Sequence, residues 1–344
     1  MDALLLHSTH SGAGASFGSR GGRETVAHYG SPADEYQAAR SSAVLVDLSF
    51  RDALRISGED RLSYFHGMCT QDIKGLPEWG SAYFTIVSVK GSMVADGRAV
   101  RRPDDLVIDL EPGTTDHVRE FLEKYLISED AELHAATGDV AVVGLVGPRT
   151  EDVLKAAFGE QLPEGVVRLP SLLTKGPGTE LLLPTSRLEE LWNKLRDSGA
   201  RPAGLEALEW VRVEDGVPRF GQDLLETTIP LEADLKHAIH YNKGCYVGQE
   251  VIARGTFRGQ MNKKLTGLVL GESGAPERAE LRKDGKKVGF LTSVVRSPSR
   301  GEYVALGYVH RDHLTSGTVL EVADAAVTAT VQELPFPRDS VGNT

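Results

Sequence analysis

Cysteine is scarce in this sequence, and its two cysteines, Cys69 and Cys245, lie far apart. No Cys-x-x-Cys pair occurs, so a zinc knuckle or a self-contained iron–sulfur site is not expected. None of the ten histidines is followed by another at the His-x-x-x-His spacing with an acid nearby, which argues against a zinc site built by the protein. We therefore predict no metal ion held by the chain alone.

Long apolar runs and excess positive charge are also missing. No run approaches the ~20 apolar residues that cross a bilayer. Leu4-Leu5-Leu6 is too short for the core of a signal peptide, and no lysine or arginine precedes it. The net charge is −11, whereas proteins that grip nucleic acid over a large surface are usually basic. These absences predict a cytoplasmic protein with no membrane span and no direct contact with nucleic acid.

The patterning of the 344 residues predicts several regions. Residues 1–30 contain a Gly- and Ser-rich stretch and are predicted to be a flexible leader. Strand-like runs alternate with amphipathic helices over 31–261, which indicates an α+β region. A strand–glycine–helix order at 54–68 recurs after residue 140, so this region is predicted to contain two related subdomains that divide near 135–140 and rejoin.

After residue 262 the pattern changes to short β-type runs separated by glycine turns. Such even spacing of short strands is typical of a small β-barrel. We place the barrel at 262–335 and interpret 336–344 as a tail.

The segment Lys243–Glu250, with the sequence KGCYVGQE, has the features of a functional site. Gly244 and Gly248 bracket Cys245, so the backbone can bend sharply and a ligand can approach it closely. Lys243 is two positions from the cysteine, and a neighbouring cation lowers the pKa of a thiol. Cys245 is therefore a candidate catalytic thiol. The alternative is a buried, inert cysteine, because free cysteines are among the most buried residue types.

This segment, followed by Arg254 and Phe257-Arg258-Gly259, closely resembles the signature of the YgfZ family. YgfZ-type proteins belong to the superfamily of the glycine-cleavage T-protein, an aminomethyltransferase, and include relatives that act in iron–sulfur protein maturation. The resemblance extends over about residues 31–335. It implies a GcvT/YgfZ-like body of two related α+β subdomains, a small C-terminal β-barrel, and binding of tetrahydrofolate or one of its one-carbon derivatives.

Three further residues match folate-site positions of the superfamily. Glu214 falls where family members hold the pterin ring, and a carboxylate can accept two hydrogen bonds from such a ring. Asp96 matches the family's catalytic aspartate, although Ala95 replaces the aspartate before it. Tyr83 matches a tyrosine near the folate. Each has a structural alternative: a helix-surface glutamate, a turn aspartate before Gly97, and a half-buried strand tyrosine.

A basic cluster follows the cysteine in an otherwise acidic chain. Arginine and lysine can clamp the carboxylates of folate's glutamate tail. Lys243, Tyr246, Arg254 and Arg258 are therefore predicted to bind the cofactor. The alternative is ordinary solvated surface charge, and the segment from 254 to 258 has the pattern of a loop rather than of a helix.

Three functions remain open from the sequence. The first is a YgfZ-type tetrahydrofolate-binding protein that supports iron–sulfur cluster assembly or repair in client enzymes, with client or assembly proteins as partners. The second is an aminomethyltransferase that moves a methylene group to tetrahydrofolate. The third is a binding module linked to tRNA modification through folate or cluster supply, against which the acidic charge argues.

Overall fold

The computed structural model describes residues 2–259 and 261–337, apart from the side chains of Phe257 and Arg258. Short helices cover two five-stranded sheets, and a closed barrel follows them in the chain. The α helices of the described residues are α1 His7–Gly12, α2 Pro32–Ser41, α3 Arg61–Met68, α4 Thr115–Glu123, α5 Thr150–Phe158, α6 Leu188–Asp197, α7 Leu205–Asp215 and α8 Gln249–Arg258.

The strands form four groups. A hairpin pairs β1 Ser16–Arg20 with β2 Arg23–His28. The first sheet has the order β10-β11-β9-β3-β12, the second β5-β6-β7-β4-β8, and the barrel β13-β16-β15-β14-β17-β18. The remaining bounds are β3 Val44–Asp47, β4 Asp52–Ser57, β5 Ser81–Val87, β6 Met93–Arg101, β7 Leu106–Leu110, β8 Glu132–Ala135, β9 Val140–Val146, β10 Val167–Leu169, β11 Gly178–Pro184, β12 Arg201–Pro202, β13 Lys263–Gly271, β14 Glu280–Lys283, β15 Lys286–Arg296, β16 Tyr303–His310, β17 Val319–Val322 and β18 Thr328–Gln332.

The N-terminal 30 residues differ from the predicted flexible leader. They form α1 and the β1–β2 hairpin. His10 of α1 is buried between the carboxylate of Asp47, 2.8 Å from its Nε2, and the hydroxyl of Tyr29, 2.7 Å from its Nδ1. Composition points to disorder when apolar residues are few. Here the bonds of His10 to Asp47 and Tyr29, together with the buried Leu4, Leu6 and Val26, anchor the segment.

The first sheet is covered on both faces. Val44 and Val46 of β3 pack towards α2 and α7, whereas Leu45 between them packs towards α5 and α6. Side chains alternate between the faces of a strand, so a strand with helices on both sides is apolar throughout. This explains the continuous apolar runs of β3 and β9.

The second sheet is covered differently. Phe84 and Ile86 of β5 pack with α3 and α4. Tyr83 belongs instead to an apolar cluster shared with the loops after α7 and with the barrel. One face of this sheet therefore points to the middle of the molecule, where both halves of the body and the barrel meet.

The C-terminal part is a closed six-stranded barrel, and the predicted fold class is confirmed. Its interior is apolar, with Leu268, Leu291 and Leu320 fully buried. Phe336, which we assigned to a tail, is also buried, and its amide donates to the carbonyl of Glu214 at 2.8 Å. No helix within residues 2–259 or 261–337 is both long enough and apolar enough to span a bilayer.

Candidate functional site

A small polar cavity lies where the second sheet, α7 and the end of β1 meet. Its volume is about 30 Å³, and we call it the central cavity. Apolar walls come from Leu48, Phe50, Leu205 and Leu208. Four arginines and four carboxylates also line it, so their formal charges balance: Arg20, Arg51, Arg212, Arg219, Asp96, Glu111, Glu180 and Glu209.

Asp96 is the buried carboxylate of this cavity. It stands in the middle of β6, opposite Thr85 of β5, and only 6% of it is exposed. Its Oδ2 accepts a hydrogen bond from the hydroxyl of Tyr83 at 2.7 Å. Its Oδ1 is buried and has no hydrogen-bond partner among the described residues. Asp96 is thus a strand residue inside a cavity, and the alternative of a turn aspartate is wrong.

The surroundings of Asp96 disfavour its charged form. Burial raises the pKa of its carboxyl to about 6, although the hydrogen bond from Tyr83 acts in the opposite direction. Burial and the neighbouring Asp96 hold the pKa of the Tyr83 hydroxyl well above its usual value, so Tyr83 stays a donor. Its ring stacks on His237 at 5.2 Å between centroids. Tyr83 and Asp96, which the sequence predicted separately, are therefore in direct contact.

A network of buried charges supports the cavity from β6 and β7, and the sequence did not indicate it. Asp109 accepts from Nε of Arg51 at 2.8 Å, and from Nε and Nη2 of Arg98 at 2.8 and 2.6 Å. Arg51 also bonds Glu111, and Arg98 bonds Glu180 of the first sheet. Charged residues inside apolar strands were the available signal. Such residues are buried only when they are paired.

Glu214 lies on α7 but does not line the central cavity. It is 1% exposed. Its oxygens accept from Tyr36 Oη at 2.6 Å, Arg40 Nη2 at 2.8 Å and Ser297 Oγ at 2.6 Å. Ser299 Oγ donates a further bond at 3.0 Å. These contacts join α7 to α2 and to the turn after β15, so Glu214 has a structural role, and its binding of a pterin stays a prediction.

Glu209, five residues earlier on α7, is the glutamate that does line the cavity. It forms ion pairs with Arg212 and Arg219, each at 2.5 Å. Burial opposes its ionisation, but the two arginines outweigh burial and hold the pKa of Glu209 well below its usual range. Glu209 lies within the stretch that resembles the family segment, but the sequence reasoning assigned the ligand role to Glu214 instead.

Lys243 lies away from the central cavity, at the end of α3. Its ammonium donates to the carbonyl oxygens of His66 and, at 2.7 Å, of Cys69. It also lies 5.0 Å from the centre of the Tyr246 ring. A cation that bonds the last carbonyls of a helix stabilises its C-terminus. The sequence paired Lys243 with Cys245, whereas the structure pairs it with α3.

The two cysteines have opposite environments. Cys245 is exposed, and neither thiol is in a disulfide. The alternative of a buried Cys245 is therefore wrong. Cys69 is the buried one: burial raises the pKa of its thiol to about 11, and the charge of Lys243 only partly offsets this.

The predicted basic clamp does not assemble. Residues 249–258 form α8 rather than a loop. Gly248 precedes this helix in a left-handed conformation and packs against Ser88. A Cβ at position 248 would lie 2.3 Å from the carbonyl oxygen of Ser88, so only glycine fits there. Arg254 is exposed and pairs with Glu250 one turn earlier at 2.6 Å. The side chain of Arg258 lies outside the described residues. Lys243 points towards α3 and Arg254 towards Glu250, so these two cations do not converge on one ligand.

The sequence matches two described families. Residues 6–168 and 174–243 match "GCVT N-terminal domain", and residues 263–337 match "Glycine cleavage T-protein C-terminal barrel domain". The fold matches the crystal structure of the glycine cleavage system aminomethyltransferase T from Bartonella henselae, with a TM-score of 0.86 over 98% of both chains at 24% identity.

Curated relatives agree with this assignment. An aminomethyltransferase of Desulfitobacterium hafniense is 27% identical over 92% of both chains. One of Rubrobacter xylanophilus is 28% identical over 97% of this chain and 93% of its own. A putative chloroplastic transferase of Arabidopsis thaliana is 28% identical over 86% of this chain and 72% of its own. The chain belongs to the glycine cleavage T-protein family.

Aminomethyltransferases of this family use tetrahydrofolate as the one-carbon acceptor, which agrees with the predicted cofactor. The superfamily inferred from the sequence is thereby confirmed. The relatives carry the name aminomethyltransferase, which favours the second of the three functions over the YgfZ-type function.

Proposed function

We propose that this protein binds tetrahydrofolate at the central cavity and is an aminomethyl-type one-carbon transferase. The observation that carries the proposal is Asp96. It is a buried carboxyl at the position of the family's catalytic aspartate, with one oxygen fixed by Tyr83 and the other without a partner among the described residues. The names of the relatives support the same function.

The cavity residues suit such a ligand chemically. A buried acceptor without a donor is costly unless a ligand supplies one, and the Oδ1 of Asp96 suits an N–H group of a reduced pterin. The space of about 30 Å³ holds roughly one water molecule. A ring can therefore enter only if side chains at the mouth move.

When bound, tetrahydrofolate supplies the amine nitrogens that accept the one-carbon unit. The protein's part is electrostatic. With a pKa of about 6, Asp96 is mostly ionised at neutral pH, so it can stabilise positive charge that develops on the transferred carbon. Its raised pKa also lets it hold a proton at Oδ1 during transfer. Tyr83 keeps the carboxylate oriented throughout.

The test is turnover with an aminomethyl-lipoyl carrier protein and tetrahydrofolate, followed by ammonia release. We expect turnover by the wild type and a loss of roughly 100-fold or more in Asp96→Asn, the range for removal of one preorganised electrostatic group. The exposed Asp104 gives the control Asp104→Asn, which should keep full activity. No ammonia release by the wild type above background would rule out the transferase.

A second function rests on the exposed thiol of Cys245. We propose as the alternative a YgfZ-type role, in which the folate-bound protein supports iron–sulfur clusters of client proteins through this thiol. Lys243 and Gly248 fix the loop on either side of it. Cells carrying Cys245→Ala should then lose cluster-dependent enzyme activity, while cells carrying Cys69→Ser serve as the thiol control. Unchanged client activity in Cys245→Ala cells would remove this alternative.

A further inference from the structure

We infer that Arg51 is a specificity-determining residue of the central cavity. Together with Asp96, it would recognise an edge of the ligand on which a carbonyl oxygen stands beside an N–H group. This inference rests on the proposed binding of tetrahydrofolate and identifies the edge of the pterin ring that the cavity residues bind.

The first observation is that one N–H group of Arg51 has no acceptor among the described residues. Arg51 is 8% exposed, and its Nη2 is buried without a hydrogen-bond partner among the described residues. Guanidinium groups carry five N–H donors in a fixed plane, and buried donors are nearly always satisfied. A free buried donor beside a cavity therefore indicates an acceptor atom that enters with a ligand.

The second observation is that this donor is held in place. Nε of Arg51 bonds Asp109 at 2.8 Å, and Nη1 bonds Glu111. Asp109 is itself fixed by two bonds from Arg98. Because two sides of the guanidinium plane are occupied by carboxylates, the direction of Nη2 is set before any ligand arrives. Such preorganisation favours selectivity as well as affinity.

The third observation is the acceptor in the same cavity. Oδ1 of Asp96 is also buried and without a partner among the described residues. The two groups are close enough for the charge of Arg51 to lower the pKa of Asp96, against the larger effect of burial. The cavity thus offers one fixed donor and one fixed acceptor, so it fits an edge with the complementary order.

Reduced pterins have such an edge. In tetrahydrofolate the C4 carbonyl oxygen and the N5–H group lie side by side, an acceptor next to a donor. Arg51 would bond the carbonyl oxygen, and Asp96 the N–H. A 4-amino-4-deoxy analogue carries an amino group in place of the carbonyl, so its N–H bonds would face those of Arg51. Sites that bond a polar atom strongly reject analogues that lack it.

The experiment compares the dissociation constants of tetrahydrofolate and 4-amino-4-deoxytetrahydrofolate by calorimetry. We expect the wild type to prefer the 4-oxo compound by roughly 100-fold. In Arg51→Met this ratio should fall to about 1, since neither substituent then meets a donor. Arg101 lies on β6 outside the cavity, and Arg101→Met should keep the wild-type ratio.

Because Arg51→Met leaves Asp109 and Glu111 with less positive charge, a second variant guards against misfolding. Arg51→Lys keeps the charge but loses the planar guanidinium group. The ratio of the two dissociation constants should fall roughly tenfold or more in this variant. A ratio does not depend on the folded fraction. An unchanged ratio in either folded variant overturns the inference and leaves the proposed function standing. No binding of tetrahydrofolate by the wild type overturns both.

Discussion

The central cavity and the segment Lys243–Glu250 present chemistry in contrasting ways. In the cavity, charged groups are buried and held by one another, and two polar atoms remain without partners among the described residues. In the segment, the charged groups are either bonded to backbone, as Lys243 is, or exposed, as Glu250 is. The thiol of Cys245 is exposed there.

Under the proposed function, the distinctive motif is not the part of the chain that holds the catalytic groups. Gly248 packs on the carbonyl of Ser88, and Val251 packs on Gly91. Both contacts brace the β5–β6 hairpin, which carries Tyr83 and Asp96. The segment thus supports the cavity from outside, and its cysteine faces solvent.

The largest effect should come from breaking the charge network beneath the cavity. Arg98 is fully buried between Asp109 and Glu180. Arg98→Met would leave Glu180 without its arginine and Asp109 with Arg51 alone. It should lower the free energy of unfolding by about 3–5 kcal/mol, measured by urea denaturation. Arg102→Met, which removes a partly exposed pair with Asp105, should cost less than about 1 kcal/mol. Equal losses would show that the network contributes no more than surface pairs.

Asp96 should make stability depend on pH. Its folded pKa of about 6 lies above its usual value of 3.8, so its ionisation destabilises the fold. The contribution of the protonated Asp96 to the free energy of unfolding is fully present below pH 3.8 and is lost as the pH rises through about 6. Relative to the wild type, Asp96→Asn should therefore gain about 3 kcal/mol between pH 4 and pH 8. Denaturation across this range measures it, with Asp104→Asn as the control; a constant difference would mean that Asp96 is not perturbed.

A substitution at Glu214 distinguishes a structural role of this carboxylate from a role in ligand binding. Glu214→Gln weakens bonds from Arg40 and three hydroxyl groups and should cost about 1–3 kcal/mol of unfolding free energy. The dissociation constant of the folded variant for tetrahydrofolate should not change. Weakened binding at unchanged stability would instead restore the pterin-binding role that the sequence predicted.

The smallest effect on stability should come from Cys245. Because its side chain is exposed, Cys245→Ala should change the free energy of unfolding by less than about 0.5 kcal/mol. In the native protein, iodoacetamide should modify Cys245 but not Cys69, whose thiol is fully buried with a pKa raised to about 11. Mass spectrometry of the alkylated peptides distinguishes them. Modification of Cys69 at a similar rate would mean that α3 opens readily.

The fold was largely predictable because it follows from local patterns. Short even strands indicated the barrel. The Ser31-Pro32 pair is typical of a helix start, and Ser31 does cap α2, accepting from the amide of Asp34 at 3.2 Å. Ser186 and Glu189 have the spacing of a capping box, but a 3₁₀ turn at Thr185–Arg187 precedes α6 instead. Strand β6 was not recognised either, since Asp96-Gly97 is a common turn pair.

The site was predictable only in part. Asp96 and Tyr83 were found because a family pattern includes them, and the structure shows that they touch. Arg51 was missed because its role depends on contact with Asp109, 58 residues away in the chain. Glu209 was missed because the sequence does not show which face of α7 lines the cavity. The position of Lys243 was misjudged because nearness in sequence suggested Cys245, whereas packing places its ammonium against α3.

The most direct test of this account is the rate of tetrahydrofolate-dependent ammonia release by two variants, Asp96→Asn and Cys245→Ala, measured side by side. If the cavity holds the chemistry, Asp96→Asn should lose roughly 100-fold or more in turnover, while Cys245→Ala keeps the wild-type rate. Full activity in Asp96→Asn together with loss in Cys245→Ala would contradict the account and place the reaction at the thiol.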